Sequence, residues 1–217
     1  MKYVIHDFET ASEADLLKCG AWVYAMDLST QILCYGFKVV EDRRPEQTIV
    51  LRGTDLRNPR TSINPQVRKL LALVDDPEVV FVAHNNSFEA AIWKYCMEPF
   101  GWPSLPTERT HDTMAVSAMK SLPLGLDPLS IVLDLPIKKD MEGHKLMLRM
   151  CKPNAKGEWE HSEANMQRLM QYNVGDVDSQ YGSHIVLGPL AQERKNWILD
   201  QKINQRGILI DRGFVKD

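Results

Sequence analysis

A chain of 217 residues, 44% of them hydrophobic, can bury one sizeable core with room for an appended helical element. Its net charge of −3 lacks the overall basic footprint usual in nucleic-acid binders. The four scattered cysteines (Cys19, Cys34, Cys96, Cys151) form no C-x-x-C pair, and no apolar run reaches the roughly 18 residues of a membrane span, so a zinc cluster, a disulfide scaffold and a membrane partner are all disfavoured and a reducing cytoplasm is expected.

In chain order, residues 2–6, 21–26, 31–40 and 46–51 are rich in Val, Ile, Tyr, Leu and Trp and are separated by turn-like or charged stretches, which predicts four strands, the last three in an antiparallel meander. Asn64-Pro65 is a helix start, a capping side chain followed by proline at the first helical position, and that helix should stop near Asp76-Pro77. The nearly continuous apolar run "EVVFVAH" (78–84) has the pattern of a strand buried on both faces. Beyond it the periodicity turns helical over 87–98, 111–120, 127–134, 140–150, 162–185 and 191–206, with "KPNAKGEWE" (152–160) as the clearest loop. Strands followed by a helix-rich half predict an α/β fold with a mixed sheet.

Three pieces of this chain carry acids where chemistry could use them. In "KYVIHDFETAS" (2–12), Asp7 and Glu9 lie two apart at the end of a strand and so share one face. In "VAHNNSFEAAIW" (82–93), Glu89 falls in the first turn of a helix, where the helix N-terminus favours an ionised carboxylate; alone it reads as an ordinary helix-end acid. In "LMQYNVGDVDS" (169–179), Tyr172 and Asp176 are four apart and share a helix face, although alone the tyrosine reads as a core aromatic. Four acids from separate elements would repel one another unless cations sat among them. Oxygen-only donors select Mg²⁺ or Mn²⁺, and two such ions roughly 4 Å apart are a known device for in-line attack on a phosphodiester.

D-x-E, N-x-x-F-E and Y-x-x-x-D, in this order and on these elements, resemble the DEDD 3′–5′ exonucleases of ribonuclease H-like fold, in their tyrosine-bearing branch. The likeness covers nearly the whole chain and is strongest to the proofreading domain of bacteriophage-type family A DNA polymerases. "AHNNSFE" and "YNVGDV" anchor it, and "GHKLMLRMCKP" (143–153) is similar to a segment common in the phage enzymes. The resemblance implies a mixed sheet, antiparallel meander plus parallel strands, flanked by helices. It implies two Mg²⁺ (or Mn²⁺) held by Asp7, Glu9, Glu89 and Asp176, with Asp7 bridging, and a water oriented by Tyr172. Thr10, Asn85 and Phe88 would line the site of the 3′-terminal nucleotide. The implied reaction is hydrolysis of the 3′-terminal phosphodiester of single-stranded or frayed DNA, releasing deoxynucleoside 5′-monophosphates. One departure stands out: the second motif usually ends in aspartate, whereas this chain has Glu89, one methylene longer.

The resemblance also implies a division into residues 1–190, the exonuclease domain, and 191–217, a helix and a short strand (Ile208-Leu209-Ile210) similar to the junction into a polymerase domain. Two alternatives remain open at this level. An RNA-trimming exonuclease of the same fold often has a histidine where this chain has Gln171, and a non-catalytic module could bind single strands on the same scaffold. His6, His84 and His111 are expected as satisfied neutral histidines, and Asp112 as a helix cap. Six cations at 138–156 (Lys138, Lys139, Lys145, Arg149, Lys152, Lys156) read equally as a solvated helix face or as a phosphate-contacting rim.

Overall fold

The structure, a computed structural model, describes residues 2–136, 140–211 and 213–214. Its central strand is β1 (Lys2–Ala11), followed by helix α1 (Leu16–Met26) and the antiparallel strands β2 (Gln31–Glu41), β3 (Arg44–Pro45) and β4 (Ile49–Arg52). Then come α2 (Pro65–Asp75), β5 (Val80–Ala83), α3 (Asn86–Ile92) and β6 (Thr110–Asp112). The remaining helices are α4 (Thr113–Met119), α5 (Leu126–Val132), α6 (Met141–Met150), α7 (Glu163–Leu187) and α8 (Arg194–Arg206). Strand order is β3-β2-β1-β5-β6, with β4 also on β2. β2 runs antiparallel to β1, whereas β5 and β6 run parallel to it, which gives the expected ribonuclease H-like mixed sheet flanked by helices.

The two faces of β1 set the layers. Val4, Phe8 and, from β2, Tyr35 and Phe37 point into the larger core, shared with Leu70 of α2 and Ile92 of α3. Ile5 points the other way, packing with Val40, Val82 and Val177 of α7. Because side chains alternate along a strand, Asp7 and Glu9 fall on the α7 face. The strand therefore aims both carboxylates at a helix more than 150 residues away in sequence.

Several expectations are corrected by this arrangement. Residues 21–26 are not a strand: they finish α1, whose N-cap Asp15 accepts from the Leu17 N–H at 3.1 Å. Trp22, Val23 and Tyr24 suggested β structure by residue type, but Tyr24 and Ala25 are buried in the α1–α3 layer, and this packing overrides local preference. The three-residue strand β6 occupies the start of the helix expected from residue 111, and that helix begins only at Thr113. The helix expected over 87–98 runs as α helix to Ile92 and continues in a wider turn over Trp93–Met97. Ile208, Leu209 and Ile210 form no strand and are exposed. By contrast, Asn64 caps α2 as expected, accepting from the Gln66 N–H at 2.9 Å, and Gly207 ends α8 with a positive φ of 71°. Helix α8 is docked through Trp197, which packs with Val116, Leu129 and Leu187. No helix among the described residues is long and apolar enough to cross a membrane.

Candidate active site

Strand β1 and helix α7 build the site. Asp7, Glu9 and Asp176 each offer an oxygen, and these atoms lie within 4.8 Å of one another. Two glycines make the approach possible. Gly36 pairs with Asp7 across the β1–β2 ladder, and a Cβ there would lie 2.0 Å from Asn173 Oδ1 and 2.9 Å from Val177 Cγ2. Its bare backbone lets α7 settle on the sheet. Gly143 does the same for the packing of α6 on α7, where a Cβ would lie 2.5 Å from the Tyr172 ring and 2.6 Å from Asp140 Oδ2.

Once α7 is seated, its polar stripe engages Asp7. Asn173 Nδ2 and Gln180 Nε2 donate to the two Asp7 oxygens, each at 2.7 Å. Asn173, Asp176 and Gln180 follow the three-then-four spacing of one helix face. The two amides are functional candidates that the motif reading missed. The signal that could have found them was this polar stripe on a helix whose neighbours Leu169, Val177 and Leu187 are buried.

Electrostatics mark the cluster as a place wanting positive charge. Burial raises the Asp7 carboxyl to about 7 against the pull of its two amide donors, and raises Asp176 to about 8, helped by the charge of Asp7. Glu9 is pushed well above the carboxylate range by burial, then by Asp7 and Asp176. Such a set fits a divalent cation: the donors are all oxygens, they converge, and their repulsion is relieved by a central positive charge.

Glu89 stands outside the trio. It enters from α3, on the opposite layer, and is 3% exposed. Burial raises its carboxyl, and the charge of Asp7 raises it further. The turn that delivers it is built by Asn85, which adopts a left-handed conformation (φ 72°) and anchors its N–H to Asp112 Oδ1 at 3.0 Å. Asp112 also caps α4 through the Met114 N–H at 2.8 Å, as expected.

Tyr172 sits one turn before Asp176 on α7, with its hydroxyl 3.5 Å from His144 Nδ1. Burial, then the charges of Asp176 and Glu9, hold its phenol far above the usual range. Thr10 is buried, and its hydroxyl already bonds the Tyr24 hydroxyl at 3.0 Å. Phe88 is half-buried against Tyr24, ring centroids 6.0 Å apart. Asn85 is likewise half-buried, its Oδ1 accepting from the Ser87 hydroxyl at 3.0 Å. His84 is satisfied by Thr113 Oγ1 and the Leu124 carbonyl. His6 is not: it is neutral, its pKa lowered to about 3 by burial, yet neither ring nitrogen has a partner, because it faces Phe8, Tyr35, Phe81 and Trp93. His111 is also neutral, but its Nε2 lacks a partner. Of the basic run, Lys145, Arg149 and Lys152 pair with Glu142, Glu160 and Asp15, as a solvated face would. Lys138 and Lys139 lie outside the described residues.

The chain is 28% identical over 229 aligned positions to a DNA polymerase of Bacillus phage SP02, an alignment that spans all of this chain and 33% of that protein. No protein-family model matches. Among solved structures, the fold is similar to a nuclease in its apo form (TM-score 0.45, 16% identity, covering 95% of this chain and 84% of that one). It is also similar to E. coli Exonuclease I in complex with a dT13 oligonucleotide (TM-score 0.41, 14% identity, covering 95% and 44%).

Proposed function

We propose that this chain is a metal-dependent 3′–5′ exonuclease of the tyrosine-bearing DEDD type, acting on the 3′ end of single-stranded or frayed DNA as the proofreading module of a phage family A polymerase. The observation that carries the proposal is the meeting of Asp7, Glu9 and Asp176 within 4.8 Å in a buried setting that raises all three carboxyls. In this reading one Mg²⁺ or Mn²⁺ belongs with that trio, and a second with Asp7 and Glu89. When bound, such ions supply the positive charge that activates water near neutral pH and steadies the departing 3′ oxygen.

The chain's own groups do the rest. Asn173 and Gln180 fix Asp7 in one orientation, which preorganises the ligand set. Tyr172, held as a protonated phenol, is a hydrogen-bonding and orienting group and no general base at neutral pH. Asn85 and Phe88, at the turn that delivers Glu89, would receive the terminal nucleotide, with Thr10 bracing Tyr24 behind them. Base stacking and backbone contacts of this kind are tolerant of sequence. The 28% identity to a phage polymerase supports a replicative setting, in which residues 1–190 are the nuclease unit and 191–217 lead towards a polymerase region.

The test is release of mononucleotides from DNA oligomers labelled at either end, in Mg²⁺, by the parent chain and by Asp7→Ala. The expected result is ladder shortening from the 3′ end by the parent, loss of at least about a hundredfold in rate for Asp7→Ala, and weaker action on a matched RNA. Equal output from both chains would sink the assignment, and faster action on RNA would transfer it to an RNA-trimming enzyme.

A further inference from the structure

Behind the acidic trio, on the other face of the sheet, four buried polar atoms gather without hydrogen-bond partners: both ring nitrogens of His6, the Tyr35 hydroxyl and Glu89 Oε2. Unpaired buried groups are uncommon, and four in one place ask for an explanation. His6 alternates with Asp7 along β1, and Tyr35 lies opposite Phe8 on β2, so both project towards α3. Their rings are 5.7 Å apart and both meet Trp93. After burial itself, the charge of Glu89 is the leading influence raising the Tyr35 phenol, ahead of that of Asp7. A chamber of about 250 Å³ adjoins His6 and Glu89, with Trp22, Trp93, Asn86 and Thr110 also in its wall, and Tyr35 meets that wall through its contact with Trp93. That space admits several waters, and its wall has the polar groups to hold them.

We propose that Glu89 has two seats: a forward one beside Asp7, where it serves an ion, and a rear one in the chamber, where water links its carboxylate to the His6 ring and the Tyr35 hydroxyl. The inference rests on the metal-dependent reading above. It accounts for glutamate at this position, since the additional methylene supplies the reach that moving between seats requires. It also accounts for Glu89 standing outside the trio. His6 and Tyr35 are then positioning residues, and the rear seat competes with the second ion. Affinity for that ion is reduced by the fraction of time Glu89 spends facing backwards.

The experiment is Mn²⁺ binding to the full chain by calorimetry and by the paramagnetic signal of free Mn²⁺, with one tighter and one weaker ion expected. Tyr35→Phe keeps the ring and removes a rear-seat donor. It should tighten the weaker ion roughly three- to tenfold and leave the tighter one unchanged. In a Glu89→Asp background, where the side chain is too short for the chamber, the same substitution should have no effect. An unchanged or weakened second ion in Tyr35→Phe, or an equal effect in both backgrounds, overturns the proposal while the nuclease reading stands. A parent chain that binds no Mn²⁺ overturns both. Should Tyr35→Phe not fold, Mg²⁺ titration of the parent gives a separate readout. Emission from Trp22 and Trp93 should change with the weaker ion's midpoint, that phase should vanish in Glu89→Ala, and flat parent emission overturns the two-seat arrangement.

Discussion

Asp7 owes its orientation to two neutral amides, and that choice of partner has consequences. Lysine or arginine at position 173 or 180 would neutralise Asp7 and compete with a cation, whereas Asn173 and Gln180 orient both oxygens without cancelling the charge. Asn173→Ala removes one of the two donors. Outer-sphere partners of this kind are worth about 10- to 100-fold in metal affinity, so Mn²⁺ binding by calorimetry should weaken by at least about tenfold while the chain still melts cooperatively. The raised carboxyls make a second prediction, about stability without metal. In the unfolded chain Asp7 and Asp176 titrate near the ordinary value of about 3.9, but in the folded chain they titrate at about 7 and about 8. Between these limits the folded state binds more protons than the unfolded one, so stability is full at low pH and is lost as pH rises towards 8. Thermal melts in a chelator should therefore give a lower Tm at pH 8.5 than at pH 6. Saturating Mn²⁺ should narrow or reverse that gap, because the ion favours the ionised carboxylates. A Tm that climbs with pH in chelator would show that the acids are not desolvated together.

Helices α6 and α7 reach their seats only because glycine stands at two contact points. At Gly36 a methyl group would strike the Asn173 side chain that holds Asp7, so Gly36→Ala must displace α7, Asn173 or both. At Gly143 it would strike the Tyr172 ring. The two substitutions should separate. Gly36→Ala is expected to cost about 1–3 kcal/mol in a denaturant melt and to weaken Mn²⁺ binding. Gly143→Ala should leave metal binding intact and slow turnover, as a misplaced orienting group does. The ends of these elements were legible in sequence wherever a cap or stop residue marks them, as at Asn64-Pro65 and Gly207. The acids could be read as well, since a two-residue step on a strand and a four-residue step on a helix each fix a face. What escaped was set by tertiary contact. Ala21–Met26 has the residue types of a strand but packs as a helix, and Thr110–Asp112 is too short to show a period. Gly36 reads as nothing until the helix above it is in place.

At the scale of the molecule, acids lie on both sides of the sheet: Asp7 and Glu9 project from β1 towards α7, and Glu89 belongs to α3 in the opposite layer. Every described ligand candidate thus comes from an element buried in the body of the chain, and none depends on the segment after α8. That segment is different in kind. Ile208, Leu209, Ile210 and Phe214 are between 63% and 99% exposed, apolar side chains with no described core beneath them. A run of this sort is an unfavourable surface for an isolated domain and an ordinary one for a chain that continues into another. Removing residues 208–217 should then leave Tm within about 2 °C of the parent, because Ile208, Leu209, Ile210 and Phe214 are exposed, and leave Mn²⁺ binding and nuclease rate unchanged, while reducing self-association in sedimentation. Under the junction proposed above, a chain carrying a polymerase region after residue 217 should instead protect the backbone amides of Ile208–Ile210 from hydrogen exchange. If truncation unfolds the nuclease unit, the segment belongs to its core in solution and the division near residue 190 is wrong. If the longer chain leaves those amides unprotected, the exposed run is no junction.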